Sequence, residues 1–247
     1  MPINYEVKNE IGIFTIDNGK VNAITHEMHE ELYLHLKDFL SDDSVKVAIL
    51  SGSKGKCFSA GDDLNEGDSY QDEDEDISDK IVLLPRNKPI IGAVHSWCIG
   101  TGLIYLTLLT DICIAGRTAR FGLPEIAYAM AGATGNMRLS RNIPRVMANW
   151  LALTGQKITS EKALEYHLIN EVVDDDLVFS RAIEVAEMIA SHPLIGIQTE
   201  MECINQCSEM SLKESRAFTR KIYDKQLEIY HQDPDSQSGI DHIKKGS

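Results

Sequence analysis

The chain has 247 residues, 43% of them hydrophobic and 25% charged, with a formal net charge of −14. That length and balance suit one large α/β domain, or a domain with a helical appendage, and the acidity argues against nucleic acid as a partner. No apolar run reaches the roughly 18 residues of a membrane span, and residues 1–10 have neither the basic nor the apolar region of a secretory signal, so a cytoplasmic location away from membranes is expected.

In chain order, residues 5–7 and 11–16 read as two short strands, with Asn9-Glu10 as the hairpin turn. Thr25 is a candidate N-cap for a helix over 26–40, whose Met28, Leu32, Leu36 and Phe39/Leu40 recur at helical spacing. Residues 45–50 form a nearly continuous apolar run, as in a strand covered on both faces. The segment from Asp68 to Asp79 holds seven acids and no base. It reads as a solvated loop; a calcium site is the alternative, but the glycine and distal glutamate of such a loop are lacking. A short helix is expected near 81–84. From residue 138 onward the pattern is helical: 144–154, 161–166 with Ser160 as cap, 176–191, 194–206 and 212–232, with a short strand at 167–173 and a polar tail from 233.

Residues 88–139 hold the chemistry. An apolar strand over 89–94 turns through Gly100-Thr101-Gly102 into a second apolar run, Leu103 to Leu109. Asp111, strands at 112–115 and 119–121, and Phe121-Gly122-Leu123-Pro124-Glu125 follow. A strand, a glycine turn and a helix start expose backbone N–H groups that attract negative charge, and a lone carboxylate beside them can move a proton. The alternative is a turn that merely lets the backbone pass close to a neighbour. Trp97 and Cys98 read as core, as does His95 at the end of its strand. The five cysteines form no Cys-x-x-Cys pair. Cys203 and Cys207, four apart, lack further ligands for zinc, so free thiols and no metal are expected.

Six short segments, in order, carry a resemblance. They are Asn22-Ala23-Ile24, Ala48-Ile49-Leu50-Ser51-Gly52, Cys57-Phe58-Ser59-Ala60-Gly61-Asp62-Asp63-Leu64, Gly100-Thr101-Gly102, Phe121-Gly122-Leu123-Pro124-Glu125, and Leu153-Thr154-Gly155 with Leu168 to Val173. Together they resemble the crotonase (enoyl-CoA hydratase/isomerase) superfamily across roughly residues 5–230. The resemblance implies an α/β fold, a crotonase-like ββα spiral over residues 1–190, with a C-terminal helical trimerisation region over 191–247. It implies self-association as a trimer or dimer of trimers, and an acyl-CoA thioester as ligand. No separate cofactor is implied, since coenzyme A is part of the substrate.

By position, the resemblance makes the backbone N–H groups of Asp62 and Thr101 the oxyanion hole, and Glu125 the catalytic acid/base. Asn22, Ala23, Ile24, Ala60, Asp63, Leu64, Gly100 and Gly132 become contacts to substrate or CoA, and Ile104 and Tyr128 the acyl pocket. One preset donor to a developing oxyanion is typically worth about 3 kcal/mol. A carboxylate at Asp62 must then point away from that oxyanion.

Departures from the family pattern narrow the chemistry. Hydratases of the family carry a second glutamate on the helix after the glycine turn; here that position is Ile104. One carboxylate suffices to carry a proton between two carbons of an enolate, so double-bond isomerisation is expected over hydration. The alternatives are a specialised lyase, a decarboxylase, a thioester or C–C hydrolase, or a CoA-binding protein without turnover. A family proline before Gly132 is absent. Tyr128, three after Glu125, is placed to hold a substrate carboxylate or donate a proton. Lys244 and Lys245 either meet a phosphate or belong to a frayed basic tail.

Overall fold

The structure, a computed structural model, describes residues 2–66, 77–129 and 139–230. Most of the acidic segment, Gly132 with its neighbours, and Lys244 and Lys245 lie outside the described residues.

Strands β1 (Ile3–Lys8) and β2 (Ile11–Ile16) form an antiparallel hairpin, turned by Asn9 and Glu10 at positive φ. β2 then pairs in parallel with β3 (Val47–Gly52), which pairs with β4 (Ile90–Val94). β6 (Ile112–Gly116) and β9 (Glu171–Val173) extend the sheet in parallel. A second, smaller sheet is built from β5 (Trp97–Ile99), β7 (Arg120–Gly122) and β8 (Ile158–Thr159). β3 and β4 are buried along their whole length because helices cover both faces of the large sheet.

On one face lies α1 (His26–Ser41), whose Met28, Leu32, Leu36 and Phe39 meet Phe14, Leu50 and Phe58 in the main core. Its start is capped as expected, with the Thr25 hydroxyl accepting from the Met28 N–H. On the other face α7 (Val178–Ala190) lays Ala182, Ala186 and Ala190 against Ile49, Ile91 and Ile114. Alanines at a spacing of four let the helix approach the sheet closely. Helices α8 (Leu194–Cys207) and α9 (Leu212–Tyr230) pack on each other at the C-terminal end.

One buried cation ties this architecture together. Lys88 is fully buried, and its ammonium donates to the carbonyls of Phe39 and Asp42 at 3.1 and 2.7 Å, at the end of α1. Those carbonyls have no helical partner, and the helix dipole favours positive charge there. Desolvation lowers the Lys88 pKa, opposed by the carboxylates of Asp43 and Asp42. Lys88→Met keeps the stem and removes the donor. It is expected to cost about 1–3 kcal/mol of stability, read as a drop in the urea midpoint at unchanged slope.

Several sequence expectations shift. β3 runs two residues later than the apolar run suggested, and β5 and β8 were not anticipated. Two or three residues show no period of their own; only pairing with β7 makes them strands. The cap of α6 (Ser160–Glu165) is Thr159, whose hydroxyl accepts from Lys162 N–H, while the Ser160 hydroxyl donates to the Arg117 carbonyl. Trp97 is not core: it faces outward on β5 with the Lys157 ammonium 4.9 Å from its ring centroid, and Cys98 alternates inward. All five cysteines are free thiols.

Candidate active site

The site forms where two backbone turns meet. The first begins at Ser59, whose pairing with Cys98 carries the chain alongside β5. The Ser59 hydroxyl donates to the Asn22 carbonyl at 2.8 Å and accepts from Gly61 N–H at 3.1 Å, shaping the bend into Gly61-Asp62. Asp62 bridges Ile24 in parallel: Ile24 N–H donates to the Gly61 carbonyl, and Asp63 N–H donates to the Ile24 carbonyl. With its neighbours spent on that side, the amide of Asp62 points the other way. Among the described residues it donates to no protein acceptor.

The second turn is Gly100, which opens α3 (Thr101–Leu109). Its φ of +56° and ψ of −129° suit glycine alone. Thr101 is the first helical residue, so its N–H has no carbonyl one turn back to bond. A methyl built on Gly61 would stand 3.5 Å from the Thr101 nitrogen, which shows how closely the two turns approach. One built on Gly102 would stand 2.9 Å from the Ser59 Cβ, so glycine there lets α3 press on the first turn.

Glu125 reaches the same place through sheet register. β5 pairs with β7 so that Ile99 lies beside Gly122, and Gly100 N–H donates to the Gly122 carbonyl at 3.0 Å. Leu123 and Pro124 then lead into a short 3-10 turn, Glu125–Tyr128, backed by α5 (Arg145–Thr154) and Gly155. A methyl on Gly100 would lie 2.9 Å from Glu125 Oε1. Oε2 is buried and, among the described residues, has no hydrogen-bond partner. Desolvation raises the Glu125 pKa, and the Asp62 carboxylate raises it further, against a lowering by its own backbone N–H. An underused, buried carboxylate of raised pKa beside two outward amides is equipped for proton transfer.

The other expected residues fall into three groups. Asn22 is fully buried. Its amide donates to the carbonyls of Ile16 and Cys57, at 3.0 and 2.7 Å, and its oxygen accepts from Asn18 N–H. It staples the first turn to the sheet and has no side-chain group left for a ligand. Ile24 is buried as well, while Ala23, Ala60 and Asp63 are partly exposed and Leu64 is 72% exposed beside the turn. Ile104, half-buried on α3, packs against the main core. Tyr128 is 61% exposed at the far end of the Glu125 turn. His95 lies away from the site; burial lowers its pKa, opposed by nearby Asp175.

One polar residue beside the first turn had no place in the sequence expectations. His29 is 8% exposed on the buried face of α1. Its Nε2 is 3.3 Å from Asp62 Oδ1, and its Nδ1 meets the hydroxyl of the fully buried Tyr105. The signal was present: with Leu32 and Leu36, three and seven residues later, a histidine interrupts an otherwise apolar stripe.

Comparison with known proteins identifies the family and the fold. The family model described as enoyl-CoA hydratase/isomerase matches residues 6–243. The chain is 32% identical to 2,3-dehydroadipyl-CoA hydratase of Escherichia coli (strain K12) over 208 residues, covering 82% of this chain and 80% of that relative. It is 31% identical to mitochondrial enoyl-CoA hydratase of Pongo abelii over 222 residues, covering 87% and 76%. The crystal structure of enoyl-CoA hydratase from Mycobacterium tuberculosis H37Rv superposes with a TM-score of 0.86 at 26% identity, over 99% of this chain and 96% of that one. With the family model spanning nearly the whole chain and relatives more than 30% identical over most of it, the chain belongs to the enoyl-CoA hydratase/isomerase family.

Proposed function

We propose that the protein acts on acyl-CoA thioesters through an enolate, with Glu125 as the acid/base and the amides of Asp62 and Thr101 as donors to the thioester oxygen. The observation that carries this reading is the buried Glu125 Oε2, unpartnered among the described residues, beside the turn that presents Thr101 N–H. In a 3-enoyl thioester, the Glu125 carboxylate takes a proton from C2. The C–H electron pair moves into the carbonyl to give a dienolate, whose oxygen the two amides stabilise. Glu125 then returns the proton to C4, and the double bond settles between C2 and C3. The atoms balance with one carboxylate and no cofactor.

Ile104 favours this isomerisation over hydration, because water addition asks for a group that activates water as well as one that protonates carbon. The relatives' names, which are those of hydratases, favour hydration as the second reading. A catalytically silent CoA-binding protein is the alternative from another class. On α5, Val146, Trp150 and Leu153 leave an exposed apolar stripe, which supports the expected self-association of the chain.

But-3-enoyl-CoA and butyryl-CoA in D2O, followed by mass spectrometry, test the reading. Deuterium entering at C2, and isomerised crotonyl-CoA from the first substrate, are the expected products. A protein that hydrates crotonyl-CoA rapidly but does not shift the double bond would reverse the preference. One that binds both thioesters without exchange would be a binding protein.

A further inference from the structure

Asp62 presents an electrostatic problem. Its amide points toward the position where the enolate oxygen develops, yet its own side chain is a carboxylate. Negative charge a few ångströms from a developing oxyanion opposes it, the more so in a partly dry site. Backbone donors tolerate almost any side chain at such a position, so the carboxylate needs something to turn it aside. The second oxyanion residue is implicated too, because the Thr101 hydroxyl donates to Asp62 Oδ2 at 2.6 Å. The side chains of the two donor residues are thus tied to each other across the hole.

The other carboxylate oxygen is held by His29. Nε2 lies 3.3 Å from Asp62 Oδ1, on a ring that stands edge-on to Tyr105, with centroids 5.7 Å apart at 83°. The Tyr105 hydroxyl occupies Nδ1. His29 is therefore clamped between α1 and α3 with its remaining nitrogen aimed at Asp62. The Asp62 side chain is still 56% exposed, so without this anchor it has room to rotate.

We propose that His29 is a positioning residue: with the Thr101 hydroxyl it holds the Asp62 carboxylate off the oxyanion position, and Tyr105 fixes the imidazole that does so. The contribution of the Asp62 carboxylate to raising the Glu125 pKa is consistent with a charge that matters to this site. The proposal rests on the oxyanion role of Asp62 and Thr101 given above. It makes His29 necessary because Asp62 is present, so its signature is suppression.

The test uses the full chain and two readouts. The first is C2 deuteration of butyryl-CoA. His29→Ala is expected to lower kcat about tenfold, a fraction of what losing an oxyanion donor costs, with KM within about twofold. His29→Ala/Asp62→Ala is expected to recover most of that loss, and His29→Gln, which still donates an N–H, to keep most of the wild-type kcat. Thermal melts check folding; if the alanine variant does not fold, His29→Met fills the space without a donor and carries the same comparison. The second readout is affinity for acetoacetyl-CoA, whose stable enolate mimics the charge without turnover. His29→Ala should weaken it about tenfold relative to butyryl-CoA, and removing Asp62 as well should restore it. A double variant no better than His29→Ala on both readouts overturns the proposal, as does a wild-type His29→Ala. Glu125→Gln run alongside separates the two ideas. Unchanged exchange in that variant sinks the acid/base reading, while the acetoacetyl-CoA comparison still decides His29.

Discussion

Glu125→Gln is expected to suppress C2 exchange and isomerisation, with kcat falling about 10²- to 10⁴-fold, the range that a positioned acid/base contributes. KM for the thioester changes little, since the amide keeps the shape of the side chain. The same substitution should leave the melting temperature at neutral pH unchanged or higher. The sign follows from burial. The native pKa of Glu125 is raised above its ordinary 4.5, first by desolvation and then by the Asp62 carboxylate. Between the ordinary value and the raised one, the folded state binds more protons than the unfolded state, so stability falls as pH rises through that window. Above it, the folded protein bears the cost of an ionised, unpartnered Oε2. Glutamine removes that cost and shows no such window in a melt-versus-pH series. The acid limb of kcat/KM in the wild-type protein lies above 4.5 for the same reason, and Asp62→Asn moves it down by deleting the second of the two raising influences. An acid limb unaffected by Glu125→Gln would assign the proton to another group.

Thr101→Pro deletes one N–H with little other change to the backbone. Thr101 is the first residue of α3, where proline's missing donor and fixed φ suit the helix. Gly100, ahead of it, is in a conformation that a glycine before proline accepts. The expected loss is about 10²- to 10³-fold in kcat, the cost of one oxyanion donor. Thr101→Val keeps the N–H and loses only the hydroxyl that reaches Asp62, so it separates the donor from the side-chain tie. A proline variant that matches the valine variant in kcat, with both folded, would remove Thr101 N–H from the mechanism. A much larger loss in proline than in valine supports it.

The linear pattern carried a good deal of this molecule. The apolar stripe of α1, the apolar runs of β3 and β4 and the helical period of α7 each report a local face that must be buried, and each element formed within about two residues of where its pattern indicated. The two glycine turns were legible because only a few residue types accept their backbone geometry. Gly100 at positive φ and Gly102 under the Ser59 contact are such positions.

Tertiary structure decided what depends on meetings between distant segments. β5 and β8 exist only through β7, and that pairing puts Glu125 against Gly100. The Asn22 side-chain amide is spent on the carbonyls of Ile16 and Cys57, partners 6 and 35 residues away that no local pattern names. Trp97 looked like core, but strand alternation turned it outward. The place of Asp62 in the first turn was readable. What holds its side chain was not, because His29, Thr101 and Tyr105 come from two helices whose crossing no local period encodes. Hydrophobic periodicity is a property of one segment and survives in the sequence. The partners of a buried polar group are a property of packing and appear only in the folded chain.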